Sequence, residues 1–396
     1  MPENGAVNGW NWEAERRREG YLVLADGSVF RGHSLGAPVD VVGETVFNTG
    51  MTGYQEILSD PSYSGQIVCL TAPEIGNYGM NGEDWEADRI HPSGFLCHRI
   101  NARPSNWRSR GTLPDALRKA GIPALAGLDT RSLALRLRDH GAQKSFLCAT
   151  GSVPVEEGLA RAGTWEGLDG QDYAIKVGTK KIAAWDESVP GGGLGYPHAG
   201  EAPGRGGYRV AAFDFGIKWS ILRNMRRVGF DVTVLPPAAT AAETLALRPD
   251  GVFFSNGPGD PAAVSYAAET IRGILGKVPI MGICLGHQLL GIACGGKTYR
   301  LPFGHHGCNH PVKDLVSGNV LITSQNHNFA VDADSLPAAA GITHLSLNDN
   351  SVEGLCLRDV PAFSVQFHPE AGPGPHDALY LLRRFSDMIA EAKGKA

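Results

Sequence analysis

The segment MGICLGHQLLG (Met281–Gly291) places Cys284 directly after the apolar run VPIMGI and before a pattern typical of a helix. In open parallel sheets, sites gather at the carboxyl ends of strands, where a residue on a sharp turn points outward. Gly282 and Gly286 would relieve crowding at such a turn, and the N-terminus of the next helix favours a thiolate. Cys284 is therefore a candidate nucleophile. The alternative is a small buried thiol that closes a core strand.

A candidate base lies in FSVQFHPEAGPGPHD, where His368 and Glu370 are two residues apart after another apolar run. A histidine can accept the thiol proton and later protonate a leaving amine, provided that a carboxylate orients its ring. HPE is also typical of a turn whose proline ends a strand. Taken alone, the tripeptide leaves both interpretations open.

The segment SNGPGDP (Ser255–Pro261) also follows an apolar run. Its glycines allow the backbone to bring amide N–H groups close to a developing oxyanion. An ordinary glycine-proline turn explains the same letters.

A phosphate-loop pattern, GxxxxGKT, spans residues 291–298. A true phosphate loop follows a strand and opens a helix, whereas this one follows the helical LGHQLLGIA and leads into TYRLP. We therefore interpret it as a glycine turn from a helix into a strand.

HHGCNH, which spans residues 305–310, holds four potential metal ligands within six residues. Structural zinc sites usually combine ligands from separated segments. The sequence therefore predicts polar packing in a loop or interface here, and no metal.

Composition excludes several classes of protein. The chain has 396 residues with 42% hydrophobic content, enough for two or three domains, and its net charge of −5 gives no basic excess for nucleic acid. It contains no apolar stretch long enough to span a membrane. The N-terminus has no apolar signal segment, and the seven cysteines are scattered, so we expect a cytoplasmic protein with reduced thiols.

The clearest division is the Gly/Pro-rich stretch 190–207, which we interpret as a linker. Residues 1–189, with a polar tail over about 1–18, are predicted to form a mixed α/β, strand-rich domain. It includes a hairpin at Asp26-Gly27 and a helix that begins near Asp129 or Thr130. In residues 208–396, apolar strands alternate with amphipathic helices, which predicts an α/β domain with an open, mostly parallel sheet and helices on both faces.

Together, GICLGHQ, SNGPGD and HPE resemble the class I, triad-type glutamine amidotransferases. Four further segments resemble the small subunit of carbamoyl-phosphate synthetase, so that the resemblance covers nearly the whole chain: FNTGMTGYQEILSDPSYSGQIV, GLDTRSLALRLRDHGAQ, FGHHGCNHP and QNHNFAVD. GMP synthetase and anthranilate synthase share the catalytic motifs but do not explain the N-terminal segments.

The resemblance implies a glutamine-hydrolysing subunit with Cys284, His368 and Glu370 as its catalytic triad. It implies that ammonia passes to a large synthetase subunit, which uses ATP, Mg and bicarbonate to make carbamoyl phosphate for arginine and pyrimidine synthesis. No cofactor is implied on this chain. The implied oxyanion donors are the amides of Gly257 and Leu285. The implied contacts to glutamine are Gly257, Gly259, Leu285, Gln288, Asn326 and Phe329.

Several residues depart from the family's usual pattern. Gly50 stands where a serine is frequent and Asn328 where a glycine is usual, which affects two proposed contacts to glutamine. The other departures are Trp219, Ser220, Cys308 and Gly372. An alternative function is therefore an assembly subunit whose catalytic centre is idle. The intact Cys, His and Glu favour the enzyme.

Overall fold

The computed structural model describes residues 18–101, 103–186, 188, 191 and 207–394. Nearly all of the predicted polar tail and linker therefore lies outside the described residues. The chain divides into two compact units. The first contains residues up to Ser59, Gly65–Asp84 and Arg89–Gly167, and the second contains Asp60–Ser64, Trp85–Asp88 and Leu168 onward.

The first unit is built around a closed barrel of seven strands, in the order β1-β2-β8-β6-β4-β3-β9, and a separate pair β5-β7. Its strands are β1 Glu19–Leu24, β2 Val29–Ser34, β3 Val41–Asn48, β4 Gln66–Leu70, β5 Glu74–Ile75, β6 Gly94–Cys97, β7 Arg99–Ile100, β8 Ala124–Ala126 and β9 Gln143–Cys148. Closure leaves no edge strand in the barrel. Its helices are Tyr54–Ser59, Leu113–Lys119, Thr130–His140 and Val155–Thr164.

Two local predictions in this unit are confirmed. The β1–β2 hairpin turns at Gly27, which has φ 86°, a conformation that glycine adopts without strain. The helix Thr130–His140 begins after Asp129, whose side chain accepts a hydrogen bond from the amide of Ser132.

The second unit contains a ten-stranded sheet in the order β10-β12-β11-β13-β14-β19-β18-β16-β15-β17. Its strands are β10 Ala183–Ala184, β11 Tyr208–Phe213, β12 Phe230–Leu235, β13 Gly251–Phe254, β14 Ile280–Ile283, β15 Thr298–Asp314, β16 Val320–Val331, β17 Ala340–Ser346, β18 Val352–Leu357 and β19 Ala362–Val365. The five neighbours β12, β11, β13, β14 and β19 are parallel. The remaining pairs are antiparallel.

Helices cover both faces of the parallel strands, because alternate strand residues enter different cores. Val210 of β11 packs in the core that includes the helices Trp219–Val228 and Tyr380–Gly394. Its neighbour Ala211 packs in the core that includes Ser265–Ile274 and Leu285–Ala293. The other α-helices of this unit are Ala174–Val177 and Ala241–Ala246, and 3-10 turns occur at Pro61–Tyr63, Pro261–Ala263 and Ala333–Ser335.

The predicted fold class is confirmed, with an open sheet in the second unit and a strand-rich first unit. The closed barrel, the length of β15 beyond its predicted start and its antiparallel pairing with β16 were not predicted. The boundaries at 189 and 208 stay a prediction. Among the described residues, no helix combines the length and apolar character needed to cross a bilayer.

Candidate active site

Cys284 lies at the turn between β14 and the helix Leu285–Ala293, with φ 53° and ψ −103°. A non-glycine residue at positive φ is strained, and such strain is concentrated at functional sites. The amide of Cys284 donates to the carbonyl of Val365 at 2.9 Å, which fixes the turn to β19. The residue is only 2% exposed. The fold therefore presents a buried thiol at the carboxyl end of a central strand.

The predicted steric role of the flanking glycines is confirmed. A Cβ at Gly286 would lie 2.1 Å from the carbonyl oxygen of Phe254, and a Cβ at Gly282 would lie 2.6 Å from the carbonyl oxygen of Gly286. Neither contact is sterically possible without movement of the backbone. The sharp turn at Cys284 thus depends on both glycines.

His368 and Glu370 are brought to the same end of the sheet because β19 lies parallel to β14, with Val365 opposite Ile283. The Nδ1 of His368 lies 2.6 Å from Oε1 of Glu370. A carboxylate only accepts, so Nδ1 carries the proton and Nε2 is left as the basic nitrogen. Nε2 is buried and has no hydrogen-bond partner among the described residues.

Lys218 completes this buried group. Its Nζ donates to Oε1 of Glu370 at 2.7 Å, and the two side chains are 2% and 0% exposed. Burial opposes the charged amine, but Glu370, together with Glu86 and Asp60, holds the pKa of Lys218 above its ordinary value. Glu370 is therefore fixed between a cation and an imidazole.

The electrostatics favour a charged His368. Burial opposes the imidazolium, but the carboxylate of Glu370 outweighs it and raises the pKa of His368 to about 10. The thiol of Cys284 makes a smaller contribution in the same direction. Burial opposes ionisation of Glu370 as well, yet Lys218 and His368 lower its pKa to about 2. The imidazolium formed by proton transfer from the thiol is therefore stabilised.

Asn326 holds the thiol from the antiparallel part of the sheet. The Sγ of Cys284 donates to the carbonyl of Asn326 at 3.6 Å. The side-chain amide of Asn326 donates to Asp60 at 2.9 Å, and its Oδ1 lies 3.0 Å from Nδ1 of His306. The Nε2 of His306 lies 3.0 Å from Oδ1 of Asn328, the residue that replaces the usual glycine. Asn328 is thus connected to Asn326 through one buried ring.

Gln288 and Phe329 are also brought together. The side-chain amide of Gln288 donates to the carbonyl of Phe329 at 2.8 Å and to Oε1 of Gln366 at 3.1 Å. Gln288 lies four positions after Cys284 in sequence. Phe329 lies three positions after Asn326, whose carbonyl accepts the hydrogen bond from Cys284. Their contact with glutamine stays a prediction.

The loop after β13 contains Gly257 and Gly259. Glycine is required at both positions, because a Cβ would lie 2.3 Å from the carbonyl oxygen of Phe215 and 2.8 Å from that of Gln171, respectively. β13 and β14 are adjacent and parallel, so this loop and the amide of Leu285 lie at the same edge of the sheet. Leu285 begins its helix, where amides lack an intrahelical acceptor. The oxyanion site at these amides stays a prediction.

The phosphate-loop pattern and His287 have ordinary structural explanations. The GxxxxGKT segment begins in the helix Leu285–Ala293 and ends at the start of β15, as predicted. His287, three positions after Cys284 in sequence, is fully buried, and its Nδ1 lies 2.9 Å from Oγ of Ser364. Burial lowers the pKa of His287 to about 3, so the ring is neutral and structural.

Sequence reasoning missed Lys218 and Asp60. Neither stands beside the catalytic motifs, although Asp60 lies within one of the segments that carried the family resemblance. Of the departures, Ser220 donates to Glu86 at 2.6 Å, and Cys308 donates to the carbonyl of Pro373 at 3.5 Å. Gly50 belongs to the first unit.

Comparison with known proteins gives two family matches. The model of Glutamine amidotransferase class-I matches residues 211–388, and that of Carbamoyl-phosphate synthase small chain, CPSase domain, matches residues 22–147. The carbamoyl phosphate synthase small chain of Syntrophotalea carbinolica is 51% identical over 368 residues, which cover 93% of this chain and 97% of that one. That of Bacillus caldolyticus is 50% identical over 376 residues, covering 94% and 97%. A solved glutamine amidotransferase from Thermotoga maritima has 21% identity and a TM-score of 0.34, covering 48% of this chain and 86% of that one.

The C-terminal fold, the Cys284 turn and the His368–Glu370 pair define a class I glutamine amidotransferase. The similarity to the two relatives extends well beyond that domain. The chain belongs to the carbamoyl phosphate synthase small chain family.

Proposed function

We propose that this chain hydrolyses glutamine to glutamate and ammonia with Cys284 as nucleophile, His368 as base and acid, and Glu370 as the orienting carboxylate. The observation that carries the proposal is the strained, buried Cys284 turn beside a histidine whose Nδ1 is held by Glu370. These are the parts that nucleophilic catalysis requires.

The reaction proceeds through a thioester. Nε2 of His368 takes the thiol proton, and the sulfur of Cys284 attacks the carbon of the side-chain amide. The amides of Gly257 and Leu285 stabilise the oxyanion. His368 then gives the proton to the leaving nitrogen, and the C–N bond breaks to release ammonia. Water, deprotonated by His368, attacks the thioester, and the C–S bond breaks to release glutamate and restore the thiol.

The family implies a partner, and we infer that ammonia passes to a large subunit that binds ATP, Mg and bicarbonate. No cofactor takes part in the chemistry on this chain. Glutamine is expected to contact Gly257, Gly259, Leu285, Gln288, Asn326 and Phe329. The product, carbamoyl phosphate, would serve arginine and pyrimidine synthesis in the cytoplasm.

The test compares glutamine hydrolysis by the wild-type chain, Cys284→Ser and Cys294→Ser, each with and without the large subunit. Cys294 is a matched control because it is a half-buried cysteine at the far end of the same helix. We expect hydrolysis to increase with the large subunit and to fall at least ~10³-fold in Cys284→Ser only. Wild-type activity no higher than that of Cys284→Ser would favour the idle assembly subunit instead.

A further inference from the structure

Three buried side chains from three strands lie close together, and one of them is the sequence neighbour of Asn326 in β16. They are His305 of β15, His327 of β16 and Glu353 of β18, with exposures of 6%, 5% and 0%. We call them the three-strand cluster. Oε1 of Glu353 lies 3.6 Å from Nδ1 of His305 and 3.9 Å from Nε2 of His327, and the potential ligand atoms all lie within 4.8 Å of one another.

Hydrogen bonds on the far side of each ring fix the tautomers. Nε2 of His305 lies 2.9 Å from Oδ2 of Asp349, and Nδ1 of His327 lies 2.8 Å from the carbonyl of Phe329. Both partners are acceptors, so each of these nitrogens carries a proton. In the neutral rings, the nitrogens that face Glu353 therefore present lone pairs. Histidine that ligates a metal is typically held by such a carboxylate or carbonyl.

Gln325 adds a fourth lone pair. Its side-chain NH₂ donates to Oε2 of Glu353 at 2.9 Å and to Oγ1 of Thr323 at 3.1 Å. The hydroxyl of Thr323 already donates to the carbonyl of His310, so it must accept from Gln325. This network fixes the orientation of the amide. Oε1 of Gln325 consequently lies 3.0 Å from Nε2 of His327. In the neutral ring both atoms are hydrogen-bond acceptors, so no proton lies between them.

Protons alone do not satisfy this arrangement. A second proton on His327 would serve Gln325 but would leave Nδ1 of His305 and Oε1 of Glu353 without a partner within hydrogen-bonding distance. A second proton on His305 would face Oε1 of Glu353 at 3.6 Å but would leave Nε2 of His327 and Oε1 of Gln325 as opposed acceptors. Protons on both rings would place two cations side by side, with ring centroids 4.9 Å apart. Buried polar atoms without partners and adjacent buried cations are both costly.

We propose that the three-strand cluster binds a divalent metal ion of the zinc class, with Oε1 of Gln325 as the fourth ligand. One dication satisfies all four lone pairs and is partly neutralised by Glu353. Two imidazoles with two oxygens suit zinc or a neighbouring transition metal, and four protein ligands make the site structural. The sequence-based expectation was that HHGCNH binds no metal. Only His305 of that segment belongs to the cluster, because its other ligands come from separate strands.

A metal in the three-strand cluster would act on β16, the strand whose Asn326 carbonyl accepts the hydrogen bond from the thiol of Cys284. Asn326 lies between Gln325 and His327, so a metal would fix the backbone on both sides of the carbonyl that accepts from Cys284. The ion itself touches no reacting atom. The inference therefore does not depend on glutamine being the substrate.

The test measures metal content in the full-length chain without a histidine tag, stripped with a chelator, reloaded with zinc and dialysed. The variants are Glu353→Gln and, as control, His140→Gln at an exposed histidine. We expect about one zinc ion per chain in the wild type and the control, and less than about a tenth in Glu353→Gln.

Two measurements on the wild type keep the test informative if Glu353→Gln does not fold. Zinc at 100 times its dissociation constant should raise the unfolding midpoint of the stripped protein by roughly 5–10 °C. Cobalt in place of zinc should give the visible absorption of a four-coordinate site. A wild-type chain that retains no zinc and shows no midpoint shift would overturn the proposal and leave protons as the occupants.

Discussion

The buried ion pair between Lys218 and Glu370 predicts the outcome of Lys218→Met. The substitution keeps an unbranched side chain that is one heavy atom shorter, and it removes the cation 2.7 Å from Oε1 of Glu370, which is itself 0% exposed. Breaking a buried pair by removing one member leaves an uncompensated charge and costs about 3–5 kcal/mol. At about 2–4 °C per kcal/mol for a unit of this size, the midpoint of thermal unfolding should fall by roughly 6–20 °C.

Lys218→Met should also shift the acidic limb of the pH–activity profile to higher pH. With Lys218 present, the pKa of Glu370 is lowered to about 2 from an ordinary 4.5, despite burial. The ionised Glu370 thus contributes stability that is present above pH 4.5 and is lost as the pH falls through 2. Without the amine, burial dominates and the pKa rises. The carboxylate that orients His368 is then lost at a higher pH.

The assay is kcat/KM for glutamine between pH 4 and pH 9, with thermal unfolding measured in parallel. Lys277→Met serves as the control, because Lys277 is exposed in the same unit and its loss should change neither quantity. A folded Lys218→Met whose acidic limb coincides with that of the wild type would refute the assigned role of Lys218.

Three further outcomes are expected. Gly286→Ala should lower the unfolding free energy by about 1–3 kcal/mol or more because its Cβ would meet a backbone carbonyl, whereas Gly163→Ala, which meets nothing within 4 Å, should be neutral or stabilising in chemical denaturation. His287→Gln should retain glutamine hydrolysis and should lose less stability than the wild type as the pH falls from 6.5. The wild type loses up to about 1.4 kcal/mol of unfolding free energy per pH unit there, because burial lowers the pKa of His287 to about 3 and the folded state resists protonation. Equal acid sensitivity of the two proteins would contradict this. Asn328→Gly removes the contact with His306 and should raise KM for glutamine about fivefold, equivalent to ~1 kcal/mol, with kcat little changed. An unchanged KM would show that Asn328 does not contribute to substrate binding.

The parallel half of the second unit and its strand-to-helix turn at Cys284 could be predicted because the signals are local. Short apolar runs, glycine at Gly282 and Gly286, and amphipathic helices between them indicate a strand-to-helix turn wherever they occur. The histidine and its carboxylate could also be paired, since they are two residues apart. Their approach to Cys284 follows once β14 and β19 are neighbours.

The remainder depends on contacts between residues distant in sequence. Lys218 is 152 positions from Glu370, and Asp60 is 266 from Asn326, so no periodicity connects them. The antiparallel strands were missed because β15 and β16 carry buried histidine, asparagine and glutamine, which reads as a polar loop until the network that satisfies these groups is seen. Closure of the barrel in the first unit likewise depends on pairing between β1 and β9.

The positive φ of Cys284 means that selection for durability and selection for chemistry oppose each other at this position. A β-carbon in the left-handed region costs roughly 1–2 kcal/mol that glycine avoids. A Cys284→Gly chain should therefore outlast a Cys284→Ala chain in heat or denaturant, although both have lost the sulfur. A library of variants screened only for stability should therefore become enriched in glycine at position 284. Cysteine should be retained only when the screen also selects for glutamine hydrolysis.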